Sequence, residues 1–108
     1  MNLRYDEIKE DVIDTYSRLH IRAKYEIRDT FYALLNDYEL SEEYTETEEY
    51  CIYVSFALLL IEKNKNTDFM KTRLNELLDS KRMEIHRIEL KDEIAEFTND
   101  VNKLKEFL

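Results

Sequence analysis

Not one of the 108 residues is glycine or proline. Tight turns at positive φ, phosphate-cradling loops and sharp breaks normally depend on those two residues. A chain without them is expected to be all-α. At this length the expectation is one domain spanning residues 1–108. It is read as a bundle of about five helices, able to bury roughly two thirds of its surface around one core.

The core is readable in Tyr50 to Ile61, Tyr-Cys-Ile-Tyr-Val-Ser-Phe-Ala-Leu-Leu-Leu-Ile, which carries no charge. The run is long for a strand, and Ala57 with Leu58 to Leu60 favours helix, so it is read as a buried central helix. A helix apolar on nearly all faces must be covered on most sides by its neighbours. The lone cysteine, Cys51, lies in this run; it excludes an intrachain disulfide and is expected to be an inert core residue, which suits the cytoplasm. The run is too short to span a bilayer, and Met1 to Asp6 has no apolar secretory region, so a soluble, cytoplasmic protein is expected.

Tyr5, Ile8, Val12, Tyr16 and Leu19 recur in steps of three and four, and the phase continues through Ala23, Ile27, Phe31, Leu34 and Tyr38. One helix through Tyr38 would run about 50 Å, so two helices with a break near Ser17 to Arg22 are expected. Beyond the core run, Asn66 or Thr67 can cap a short fourth helix lined by Phe69 or Met70, Leu74, Leu77 and Leu78, whose pattern ends at Asp79 to Lys81. From Met83 a last helix carries Leu90, Ile94, Phe97, Val101, Leu104 and Leu108 at coiled-coil spacing. This seam packs back on Tyr50 to Ile61 in the favoured reading. In the other it pairs two copies as a homodimer through Leu90 to Leu108.

Catalytic patterns are missing. His20 and His86 flank basic or apolar residues as ordinary helix-surface histidines do, and nothing arranges a nucleophile beside either. There is no Glu-x-x-His pair and no calcium loop, so neither a metal nor another cofactor is expected. Adjacent carboxylates such as Glu42/Glu43 and Glu48/Glu49 form no preset acid–base pair, and an enzyme is not expected.

Recognition remains. Asp37, Glu39, Glu42, Glu43, Glu46, Glu48 and Glu49 make seven acids in thirteen residues with no Lys or Arg among them, interleaved with Tyr38 and Tyr44 and closed by Tyr50. Part of this run is structural: Thr45 and Glu48 have capping-box spacing, and acids at a helix N-terminus are favoured by the macrodipole. The net charge of -9 repels nucleic acid and anionic lipid and steers the chain toward a basic partner. Direct nucleic-acid binding and membrane association are therefore not expected. The candidate contact surface is Glu42, Glu43, Tyr44, Glu46, Glu48 and Glu49, with Asp37 and Tyr38 at its margin. The plain alternative is a solvated acidic loop whose tyrosines anchor it to the core.

The order of features resembles the bacterial polymorphic-toxin immunity proteins of the Imm3 family. The resemblance rests on a Tyr-bearing first helix, Tyr5 to Tyr16, and a second helix ending in acids. It continues through Ile52-Tyr-Val-Ser-Phe-Ala-Leu-Leu-Leu, the helix Lys71-Thr-Arg-Leu-Asn-Glu-Leu-Leu-Asp-Ser and the tail Asn102-Lys-Leu-Lys-Glu-Phe-Leu. The family's Trp and Gly in or after the core helix are absent here. The resemblance implies a cytoplasmic antidote that binds a toxin domain, often a nuclease, and blocks its active site. Two other readings stay open: a phage-type inhibitor that mimics nucleic acid toward a host-defence protein, and a structural or adaptor bundle that self-associates.

Overall fold

The computed structural model describes residues 4–79 and 83–107, so Lys81, at the expected end of the fourth helix's pattern, and Leu108, the last residue of the expected seam, lie outside the described residues. Helix α1, Tyr5–Thr15, continues as a π-helix, Tyr16–Arg22. It is followed by α2, Ile27–Glu39, and α3, Glu46–Glu62. A 3₁₀ turn, Asp68–Met70, leads into α4, Lys71–Leu78. Helix α5, Met83–Leu90, is joined through a second 3₁₀ turn, Lys91–Glu93, to α6, Ile94–Lys105. No strand occurs among the described residues, and the fold is an all-α bundle.

Helix α3 is the centre, in contact with each of the other five. The Thr45 hydroxyl caps its N-terminus, accepting the Glu48 backbone N–H at 3.3 Å, and Glu46, Glu48 and Glu49 complement the dipole in its first turn. Ile52, Val54, Phe56, Ala57 and Leu60 are fully enclosed. Enclosing each large apolar side chain contributes about 1.5 to 3 kcal/mol. Phe31 of α2 meets Tyr53 and Phe56 edge-on at centroid separations of 4.9 and 5.0 Å. The seam residues Leu90, Phe97, Val101 and Leu104 are buried in this same core, and α6 packs on α3 within the chain.

Three expectations need correction. The break between the first two helices falls at residues 23–26, not at Ser17 to Arg22. Those residues wind as a π-helix, in which Ala23 N–H reaches the Arg18 carbonyl five residues back at 3.2 Å, so the chain stays hydrogen-bonded beyond the expected break. The length argument for two helices holds, since the longest dimension of the molecule is 38 Å. The last helix is not continuous from Met83, because Lys91 takes φ 52 and turns the chain before α6. His86 is no surface residue: it is 1% exposed, with Nδ1 2.7 Å from the Thr47 hydroxyl and its ring 5.1 Å from that of Tyr50, joining α5 to α3.

Without glycine, helices must stop on other residues. Among the described residues Lys24, Asn64 and Lys91 hold positive φ of 64, 56 and 52. After α3 the stop is a Schellman motif, with Lys65 N–H on the Leu60 carbonyl at 2.8 Å and Asn64 N–H on that of Ile61 at 3.0 Å. Asparagine tolerates this conformation, whereas lysine is strained in it.

The N-terminus of α1 is capped from the other end of the chain. Arg4, its N-cap residue, supplies no side-chain cap. Both Glu93 carboxylate oxygens accept there instead, from the backbone N–H groups of Tyr5 at 2.8 Å and Asp6 at 2.9 Å. Two turns on, the Tyr5 hydroxyl donates to Asp100 Oδ2 at 2.7 Å, and the Lys9 amine bridges Glu96 and Asp100 at 2.9 and 3.0 Å. Glu93→Ala is expected to cost about 2 kcal/mol in denaturant unfolding, because two charge-assisted bonds and a cap are lost together. Lys24→Gly and Lys91→Gly are each expected to gain roughly 0.5 to 1 kcal/mol in the same assay.

Candidate protein-binding surface

The acidic segment runs from the last turn of α2 through a short loop into the first turn of α3. Ser41 organises the loop: its N–H reaches the Tyr38 carbonyl at 3.1 Å, its carbonyl accepts from Tyr44 N–H at 3.2 Å, and its hydroxyl accepts from Glu43 N–H at 3.2 Å. These local bonds hold the segment as a defined shape without glycine.

The eight sequence candidates divide into groups with different tasks. Asp37, Glu42 and Glu43 are exposed. Tyr38 is half-buried and its hydroxyl donates to Asp11 Oδ2 at 2.5 Å, tying α2 to α1; burial first, then that bond, raises the phenol above its ordinary range. Tyr44 is half-buried with its hydroxyl enclosed and making no hydrogen bond, and burial followed by the charges of Glu49 and Glu39 raises it likewise. Glu46 is half-buried in the first turn of α3.

Glu48 and Glu49 are withdrawn from the surface. Glu49 takes both Arg73 nitrogens, Nη2 at 2.6 Å and Nε at 3.1 Å, and so fastens α3 to α4; Arg73 also holds Glu76 at 2.9 Å. Glu48 is 3% exposed, and its Oε2 makes no hydrogen bond. The capping box is thus half formed: Thr45 caps Glu48, but Glu48 is folded inward rather than back to Thr45. The Thr45 hydroxyl instead donates to Glu89 Oε2 at 3.2 Å. Burial, then the charges of Glu89 and Glu43, pushes the Glu48 carboxyl above the ordinary glutamate value.

One surface residue, Leu40, was missed by the sequence reading, and Glu39, counted in the acidic run, was left out of the candidate contact surface. Leu40 is 83% exposed beside Glu39, which is also exposed. The signal for Leu40 was its phase: it stands two residues past Tyr38, off the stripe of Ile27, Phe31, Leu34 and Tyr38. Asp37, Glu39 and Glu42 form no ion pair among the described residues. The last turn of α2 holds no basic residue, so Asp37 and Glu39 sit at the negative end of its dipole, where carboxylates are disfavoured. Exposed Leu40 thus stands in the chain among exposed carboxylates that form no ion pair among the described residues. No helix among the described residues is long and apolar enough to cross a membrane.

The Glu48 carboxyl carries a pH signature. An acid held higher in the folded chain than in the unfolded one favours folding fully at low pH, and that contribution is lost as pH rises from the ordinary value of 4.5 through the raised folded value. Glu48→Gln is therefore expected to be more stable than wild type at neutral pH, by on the order of 1 kcal/mol. The difference should shrink below pH 4.5 when melts are compared across pH.

Comparison with protein-family models, curated proteins and solved structures finds no match to this chain.

Proposed function

We propose that this protein is an acidic protein-binding inhibitor that neutralises another protein by covering its basic surface. In its sharpest form it is an immunity protein bound over the active site of a toxin such as a nuclease. The observation that carries the reading is that Asp37 and Glu39 stand where the α2 dipole opposes them, next in the chain to exposed Leu40 and Glu42, and that none of these three acids forms an ion pair among the described residues. Acids that oppose a helix dipole do nothing for folding, so their concentration here supports a role in recognition. An enzyme acting on nucleic acid presents Lys and Arg to phosphates, and carboxylates in the same places steer encounter and exclude substrate. The nucleic-acid-mimic reading rests on this same surface and differs only in the partner's origin.

The test uses wild type beside a variant with Asp37, Glu39, Glu42 and Glu43 changed to Lys, and a third protein carrying Leu40→Asp. Affinity capture from the native host's lysate identifies the retained protein, and stopped-flow association with that protein is then measured against salt. The expected result is a basic partner whose association with the charge-reversed variant is slower by roughly tenfold or more, with the salt dependence lost. Leu40→Asp is expected to speed dissociation instead. Equal binding by all three proteins would remove the acidic surface from the interface. Host cells exposed to a partner that proves toxic should survive with wild type and not with the reversed variant.

A further inference from the structure

Helix α2 carries charge of the unfavoured sign at both ends. Arg28 stands in its first turn, where the dipole disfavours a cation, and Asp37 and Glu39 stand in its last turn, where it disfavours acids. The segment leading into the helix adds Arg22 and Lys24, which together with Arg28 outnumber Glu26 and Asp29, and the loop after it adds Glu42. All of these side chains are exposed, and none forms an ion pair among the described residues. Folding accounts for neither end of this charge order.

One exposed stripe joins the two ends. Arg28, Tyr32, Asn36 and Glu39 follow in steps of four, four and three, which places them on one helical face, and each is exposed, Tyr32 by 41%. Phe31, Leu34 and Leu35 of the same helix are buried in the core. The stripe has a fixed base, since Arg28 lies over the Phe69 ring at 5.9 Å and the Tyr32 ring meets that of Phe69 at 6.4 Å.

A helix face that begins cationic and ends anionic is complementary to itself turned end for end. With a two-fold axis at the level of Ala33 and Leu34, Arg28 of each copy reaches the level of Glu39 of the other, Tyr32 that of Asn36, and Lys24 that of Glu42. The two α2 dipoles then run in opposite senses, and tyrosine at the centre supplies a large, stiff contact. The net charge of -9 on each copy opposes association at long range, but that repulsion is screened beyond about 8 Å at physiological salt, whereas facing side chains are not.

We propose that two copies of this chain pair through the exposed stripe of α2, antiparallel about a two-fold axis, with Arg28 of each against Glu39 of the other and Tyr32 against Asn36. The α6 seam takes no part, being buried in the core. Helix α2 is about 20 Å long, so the contact is at the small end of specific interfaces and the dimer is weak, with a Kd on the order of 100 μM. The pairing covers Glu39, so a basic partner of the acidic surface competes with the second copy. It needs no such partner and is measured without one.

The experiment is sedimentation equilibrium of the purified full chain at physiological salt, from roughly 10 μM to 1 mM, for wild type, Arg28→Glu, Glu39→Arg and the double variant. Each single substitution exchanges a charge that the α2 dipole opposes for one that it favours, so neither is expected to lower stability, which unfolding melts check. Wild type is expected to dimerise, and each single variant to do so at least about tenfold more weakly, because the two-fold axis sets like charges together twice. The double variant should recover to within about threefold of wild type. An equimolar mixture of the two single variants should form a heterodimer, since each supplies the sign that the other lacks. Wild type that stays monomeric at the highest concentration, a dimer that neither single substitution weakens, or a double variant no stronger than the singles would overturn the proposal. Loss of the dimer on Ile88→Asp but not on Arg28→Glu would also overturn it and move the contact to the exposed Ile85 and Ile88 of α5. A monomer that still captures a basic partner would overturn the pairing and leave the inhibitor reading standing.

Discussion

A helix that is apolar on almost every face cannot stand at a surface, and α3 is such a helix. Its enclosure dictates where the other five run and why their buried residues gather in one core around it. The walls are joined by few polar clamps, and these link distant parts of the chain. Glu93 caps α1 across the bundle, Asp100 gathers Tyr5 and Lys9, and Arg73 secures Glu49. Each clamp places a charge where burial would otherwise leave backbone or side-chain groups unsatisfied. The Cys51 thiol, sealed in α3, is pushed well above its ordinary range by burial, and it behaves as a small core hydrophobe.

The absence of glycine has a structural answer in Lys24, Asn64 and Lys91, which take the left-handed conformation at helix stops. Two of these are lysines, so the stops keep side chains where most proteins have none. Around the first stop, Lys63 lies over the Tyr16 ring at 5.6 Å, and His20 Nδ1 donates to the Tyr25 carbonyl at 2.7 Å. Local hydrogen bonds and ring contacts thus offset a backbone conformation that lysine alone would resist.

Charge is partitioned in the same economical way. One contiguous acidic run in sequence separates into acids at the start of α3, favoured by its dipole or engaged by Arg73, and acids at the end of α2, opposed by theirs. The second set, with Leu40, is the part whose position folding does not require. The proposed inhibitor role follows from that separation more than from the net charge.

The all-α class, the central helix, the Thr45 cap and the inward seam of α6 were legible in residue order. Each depends on local propensity and periodicity, which act over a few turns of chain. Legibility stopped where partners come from distant positions. Glu48 and Glu49 are adjacent glutamates in sequence, yet one is buried without a cation and the other is bound to Arg73, because helix packing alone decides which neighbours they meet. His86 reads as a surface histidine but lies under Thr47 and Tyr50, and Glu93 reads as a solvated acid but caps a helix begun 88 positions earlier. Periodicity places a residue on a face of its own helix; what that face meets is settled only when the helices pack.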